Sequence, residues 1–98
     1  MYYDRKGQSI NVTRWSELLE DRVYHVIEQT DLPDGKWVST VWLGLDHSFG
    51  SGAPLIFETM VFPSHDEWME LDCERYTYEE TAIVGHKAMV EKWTKGEK

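Results

Sequence analysis

A strand–turn–strand pattern constrains the fold of this chain more than any other feature. Val23–Thr30 and Trp37–Leu45 are rich in β-branched and aromatic residues, as strands are. Between them lies Leu32–Lys36, whose Asp34-Gly35 dipeptide supplies the positive φ that a tight hairpin needs. The pattern therefore predicts an antiparallel hairpin.

A two-residue turn at Asp34-Gly35 implies a definite pairing of the two strands. Trp37 then lies opposite Leu32, and Trp42 lies opposite Ile27 on the other face of the hairpin. A one-residue bulge would change this pairing, because it moves side chains to the opposite face.

Two further strands follow the hairpin. Leu55–Phe62 is rather apolar on both of its alternating faces apart from Glu58, which predicts a central strand that is at least partly covered on both faces. Cys73–Tyr76 predicts a short fourth strand.

Two helices flank the strands. Asn11 is a suitable N-cap for a short helix whose apolar face carries Trp15 and Leu18. Thr77–Glu80 has the capping-box pattern, and it predicts a C-terminal helix that ends near Thr94.

These elements predict a single α+β domain over residues 1–98: an antiparallel sheet of three to four strands, a C-terminal helix packed on one face and a short N-terminal helix. We expect the N-terminal helix to cover part of the other face or an edge. Gly85, in the middle of the last helix, costs about 1 kcal/mol relative to alanine. We therefore expect the helix to approach the sheet closely there. An exposed edge strand would also offer a route to a homodimer through sheet extension.

The net charge of −8 limits the classes of partner. Nucleic acids and anionic membranes bind rows of lysine and arginine, so we expect neither as a partner. The stretch Pro63–Glu80 carries seven carboxylates against one arginine. A solvated face is the ordinary interpretation of such a stretch, and a surface for a basic partner is the alternative.

The single cysteine, Cys73, excludes an internal disulfide and a cysteine-rich zinc site. Its acidic neighbours Asp72 and Glu74 disfavour a reactive thiolate. No apolar run approaches the roughly 20 residues of a membrane span, and Met1–Lys6 lacks the apolar stretch of a signal peptide. The expected compartment is the cytoplasm.

Three segments carry a family likeness. Val38–Gly50, Pro54–Phe62 and Gly85-His86 resemble a family of small uncharacterised proteins carried by bacteriophages and prophages. The likeness covers most of the chain. It implies a phage accessory protein in the cytoplasm of the bacterial host, a setting in which small acidic proteins often inhibit host or defence proteins. It implies no particular binding or catalytic residue.

The glycine-rich loop after Leu45 is the first candidate site. Asp46 and His47 stand where a strand meets this loop, and Phe49 follows them. Rigid strand ends joined to loops often carry binding groups. The alternative is a plain connection in which Asp46 is a turn residue and Phe49 packs into the core.

The remaining candidate binding residues are Trp42, Glu58, Trp68, Arg75 and His86. Glu58 lies on a covered strand, where a carboxylate requires an ion-pair partner, and Arg75 and His86 are the candidates. The alternative is that Glu58 is an acidic group in a binding pocket. His86 lies on the apolar stripe of the last helix, where a core histidine is the simpler interpretation. The four histidines lack zinc-motif spacing, so we expect neither a metal nor another cofactor.

Three functions stay open. The favoured one is binding to a host or defence protein through an acidic and aromatic surface that includes Trp68. The second is a small-ligand protein that binds or sequesters nucleotides with Trp42, His47 and Arg75. The third is a small hydrolase that uses Asp46, His47 and Glu58. Catalysis is less favoured because Cys73 has acidic neighbours and the chain lacks a nucleophile-elbow motif. The glycine-rich loop also lacks the standard nucleotide-binding motifs.

Overall fold

The computed structural model describes residues 1–46 and 52–94. It has the expected α+β fold: a four-stranded antiparallel sheet, a C-terminal helix on one of its faces, a short N-terminal helix and a separate two-stranded sheet. In chain order the elements are β1 (Tyr2–Tyr3), β2 (Ser9–Ile10), α1 (Val12–Glu20), α2 (Arg22–His25), β3 (Val26–Asp31), β4 (Trp37–Trp42), β5 (Phe57–Phe62), β6 (Asp72–Tyr76) and α3 (Glu79–Thr94).

The turn between β3 and β4 is a three-residue loop, and the expected two-residue turn is wrong. The Leu32 N–H donates to the Lys36 carbonyl at 2.8 Å, and the Gly35 N–H donates to the Leu32 carbonyl at 3.1 Å. Gly35 has a φ of +98°, whereas no non-glycine residue of the described ranges has a positive φ. Two-residue hairpin turns of the expected type need a positive φ at both positions, whereas three-residue loops place it on a final glycine.

This loop changes the pairing of β3 with β4. Trp37 pairs with Asp31 and not with Leu32, and a bulge between Val26 and Glu28 shifts the register again. The expected pairing of Trp42 with Ile27 is therefore also wrong, because Ile27 lies in the bulge.

The strand expected from Val23 begins three residues later because a local cap competes with it. The Asp21 carboxylate accepts hydrogen bonds from the N–H groups of Val23 (3.1 Å) and Tyr24 (3.4 Å). The chain therefore makes the single helical turn α2 before it enters β3.

The order of the main sheet is β3-β4-β5-β6, with β5 inside, as its two apolar faces predict. Helix α3 covers the face that carries Thr40, Trp42 and Phe57, all of which are fully buried. Leu18 of α1 joins the cluster that contains Trp42, Phe57 and Ala82. Helix α1 therefore extends the layer of α3, and none of its residues lines the groove on the other face.

Gly85 meets the sheet as expected. A Cβ at this position would lie only 2.1 Å from the Tyr76 hydroxyl of β6. The absence of a side chain at Gly85 is what lets α3 pack this closely. None of the described helices is long and apolar enough to cross a membrane.

Candidate functional site

The second face of the sheet is an open groove of about 480 Å³. Alternate side chains of a strand point to opposite faces, so the residues between those that α3 buries form the groove floor. One wall comes from α2 and the start of β3, and the other comes from the β5–β6 loop, residues 63–71. The open groove is defined by Ser39, Val41, Glu58 and Met60 on its floor, Arg22 and His25 on one wall, and His65, Asp66, Glu67 and Trp68 on the other.

Glu58 is the charged residue of the groove floor, and its side chain is only 8% exposed. Its Oε2 accepts a hydrogen bond from Arg75 Nε at 3.1 Å, and Arg75 Nη2 lies 3.0 Å from the same oxygen. Of the two partners expected for Glu58, Arg75 therefore fills the role, because the residues are directly opposite on β5 and β6. His86 lies beyond the other face of the sheet.

Cys73 completes this cluster, with its Sγ 3.6 Å from Glu58 Oε2. Burial and the Glu58 carboxylate raise the pKa of the Cys73 thiol to about 11. The sequence predicts an unreactive thiol from Asp72 and Glu74, whereas the carboxylate with the largest effect on the pKa is Glu58 on the neighbouring strand. The thiol stays protonated near neutral pH, so it is unsuited to nucleophilic attack.

His86 is a core residue, 1% exposed. Its Nδ1 lies 2.7 Å from the Thr40 hydroxyl, and its Nε2 lies 2.9 Å from the Thr30 hydroxyl. The Thr40 hydroxyl also bonds that of Thr59 at 2.6 Å. Both ring nitrogens are thus satisfied inside the protein, and burial lowers the pKa of the ring. His86 joins α3 to the sheet and presents no surface to a ligand.

Trp42 is also fully buried. Its indole N–H donates to the Tyr3 carbonyl at 3.1 Å, and its ring meets that of Tyr24 edge-on at 5.0 Å. Trp42 and Arg75 belong to opposite faces of the sheet, since Trp42 pairs with Phe57 whereas Arg75 pairs with Glu58. A nucleotide pocket that combines Trp42 with Arg75 therefore does not form.

The first part of the 63–71 loop is fixed to the sheet by an aromatic stack. The ring of Trp37 stacks on Phe62 at 5.1 Å and on His65 at 4.5 Å. The Trp37 indole donates to the Ser64 carbonyl at 3.1 Å, and His65 Nε2 lies 2.5 Å from Asp31 Oδ1. The sequence alone does not indicate that His65 packs on Trp37. The signal that could have revealed the stack is the register that sets Trp37 opposite Phe62.

The second part of the same loop is exposed. Trp68 is 81% exposed at the rim of the groove, and Met69 and Leu71 follow it at 66% and 45%. Of the candidate residues proposed from sequence, Glu58 and Trp68 line the groove, and Arg75 touches it through Glu58.

The candidate loop after Leu45 is described only in part. The Asp46 carboxylate accepts a hydrogen bond from the Leu55 N–H at 3.0 Å, which joins the two ends of the loop. His47 and Phe49 lie outside the described residues.

In residues 1–46 and 52–94, no three metal-binding side chains come together. Searches for similar proteins found no match among family models, curated proteins or solved structures.

Proposed function

We propose that this chain is a binding protein that holds a basic segment of another protein against the open groove and the 63–71 loop. By its sequence likeness, the setting is the cytoplasm of a bacterium that carries a phage or prophage, and the partner is a host or defence protein. The observation that carries the proposal is the exposure of Trp68 at the groove rim, 81% of its surface.

Trp68 is not the single exposed apolar residue of its loop, a case that would need no explanation. Trp68, Met69 and Leu71 form an apolar group on one short loop, and contiguous exposed apolar groups commonly mark interaction sites. Tryptophan is also enriched among the residues that dominate binding energy at protein interfaces.

The charge of the loop selects the partner. Asp66, Glu67 and Glu70 flank Trp68 and Met69, and all five residues are exposed. With a net charge of −8 on the whole chain, this surface attracts basic segments and repels acidic ones.

The architecture supports the same face. Helix α3 and α1 cover one side of the sheet, and His86 and Trp42 have internal partners there. The groove side has polar and apolar side chains on a floor of two paired strands. Strands that are already hydrogen-bonded to each other need little further ordering when a partner binds against them.

Retention of proteins from a bacterial lysate by immobilised variants tests this proposal. Proteins retained by the wild type should be lost with Trp68→Ala and Glu67→Lys, and they should elute with salt because screening weakens charge contacts. The matched controls are Val84→Ala and Glu20→Lys, which change exposed residues on α3 and α1. Equal retention by all four variants would refute the assignment of this surface.

A small-ligand protein is the second candidate, because the groove volume falls in the range of ligand pockets. Its cationic groups are Arg22 and, next to the floor, the Arg75 that already holds Glu58. Thermal-shift measurements with nucleotides test it, and a shift that Arg22→Ala removes would favour this function over protein binding.

A hydrolase is the third candidate and has the least support. Asp46 holds the Leu55 N–H, and Glu58 holds Arg75 and Cys73. These two carboxylates thus have separate structural partners.

A further inference from the structure

One oxygen of the Glu58 carboxylate, Oε2, accepts both of the side-chain hydrogen bonds that the described residues donate to this group. Arg75 and Cys73 both approach Oε2. Among the described residues, none donates a hydrogen bond to Oε1. The side chain is 8% exposed and lines the open groove. A buried carboxylate oxygen without a donor is unfavourable, so the groove floor is set to accept a donor from outside the chain.

We infer that Glu58 anchors an arginine side chain of the partner, which enters the open groove and donates to Oε1. This inference rests on the proposed function and specifies which side chain the partner inserts. It makes Glu58 a specificity residue in addition to one half of an ion pair.

The charges around the groove fit an entering cation. Besides Glu58, the carboxylates of Asp66 and Glu67 line the groove. The opposing cation is Arg22, whose guanidinium donates to the Gln29 side chain at 3.2 Å. Arg75 neutralises the charge of Glu58. The two negative charges of Asp66 and Glu67 then exceed the one positive charge of Arg22, so the charged side chains that line the groove favour a cation.

The aromatic rim favours arginine over lysine. The rings of His65 and Trp68 line the groove beside these carboxylates. A guanidinium is planar, stacks on aromatic faces and is less strongly hydrated than an ammonium group. It can therefore donate to Glu58 while its plane or its stem lies against a ring.

Backbone amide NMR with short probe peptides tests the inference on the intact chain. The probe is a capped peptide of serine, threonine and valine with one central arginine, and its partners carry lysine, citrulline or norleucine at that position. We expect the arginine peptide to shift the amide signals of Ser39, Val41 and Met60 saturably. Citrulline has the same shape without the charge, and we expect about tenfold weaker binding, as for loss of a charge-assisted hydrogen bond. The lysine peptide should bind with intermediate affinity.

Two variants distinguish a specific role of Glu58 from a general effect of the negative charge of the chain. Glu58→Gln should weaken the arginine peptide about tenfold and leave the citrulline peptide unchanged. Glu74→Gln removes the same charge from exposed β6 on the opposite face of the sheet, and it should change neither. If Glu58→Gln does not fold, the comparison of arginine with citrulline on the wild type decides alone.

Equal binding of arginine and citrulline peptides, or shifts outside the groove, would overturn the anchor. So would the absence of saturable shifts with every peptide. In each of these cases the proposed function would still stand if Trp68→Ala and Glu67→Lys abolished the retention of lysate proteins. Failure of both experiments would remove both proposals.

Discussion

Arg75 Nε donates to Glu58 Oε2 at 3.1 Å across the β5–β6 pair, while the other carboxylate oxygen receives no hydrogen bond from the described residues. This asymmetry gives Glu58 two roles. One oxygen fixes an edge strand to the sheet, and the other is the acceptor that we propose for an arginine of the partner.

Loss of Arg75 should destabilise the fold, because it leaves the Glu58 carboxylate buried without a cation. Breaking a fully buried pair costs about 3–5 kcal/mol, and Arg75 is 41% exposed. We therefore expect Arg75→Ala to lower the free energy of unfolding by about 2 kcal/mol. Urea unfolding measures this change.

The control for this prediction is Arg14→Ala, which removes an arginine from an exposed pair with Glu17 at 3.2 Å. Its effect should stay below about 0.5 kcal/mol. Similar losses for Arg75→Ala and Arg14→Ala would show that the buried pair contributes nothing particular.

Cys73 should react slowly with iodoacetamide. A thiol whose pKa is about 11 is almost entirely protonated near neutral pH, and only the thiolate reacts. Because the chain has one cysteine, alkylation reports on this residue alone. We expect a rate at least about tenfold below that of the unfolded chain in urea. Equal rates in folded and unfolded chains would contradict the protected position.

His86 should make stability depend on pH below neutrality. Burial lowers its pKa in the folded chain, whereas in the unfolded chain the ring takes up a proton as the pH falls through about 6.5. Protonation thus favours the unfolded chain, and the His86 contribution is fully present above about 6.5 and is lost as the pH falls below it.

An NMR titration of the His86 ring measures this pKa directly, and we expect a value below the usual one. In urea unfolding, His86→Gln should lose less stability than the wild type between neutral and mildly acidic pH. A His86 ring that titrates at or above its usual pKa would contradict the buried, neutral state.

Gly85→Ala should destabilise α3 although alanine favours helices. The new Cβ would collide with the ring of Tyr76, and overpacking of this kind costs about 1–3 kcal/mol. The gain in helix propensity is about 1 kcal/mol, so we expect a net loss of about 1 kcal/mol. In a Tyr76→Leu background the same change should become neutral or stabilising.

Val84→Ala is the neighbouring control, because Val84 is 67% exposed and its truncation relieves no contact with the sheet. It should leave stability within about 0.5 kcal/mol of the wild type. If Gly85→Ala stabilised both backgrounds equally, the close approach to Tyr76 would not constrain the helix.

The elements that sequence predicts well are those with local signals. Asn11 caps α1 as expected, its carboxamide oxygen accepting from the Arg14 N–H at 2.8 Å. The two apolar faces of β5 mark it as an inner strand. Such signals depend on neighbours along the chain, so a single sequence contains them.

The parts that sequence missed depend on competition or on distant contacts. The cap at Asp21 outweighed the strand propensity of Val23, and Gly35 alone took the positive φ in the turn. The groove itself follows from which face of the sheet α3 covers. Alternation reveals two faces but does not reveal which one a helix will cover.

The same distinction between local signals and distant contacts applies to the residues of the candidate site. Glu58 and Trp68 were identified because each is an anomaly in its own segment, a carboxylate on a covered strand and a tryptophan in an acidic loop. Trp37 and His65 were not, because their stack joins residues from different strands and loops.

Fluorine NMR of the protein labelled with 5-fluorotryptophan tests the central claim most directly, because the five tryptophans sample both sides of the sheet. The titrant is the protein fraction that the immobilised wild type retains from lysate. We predict that the signals of Trp37 and Trp68 shift or broaden, while those of Trp15 and Trp93 stay in place. Changes at Trp15 or Trp93 with unchanged Trp37 and Trp68 would contradict binding at the open groove.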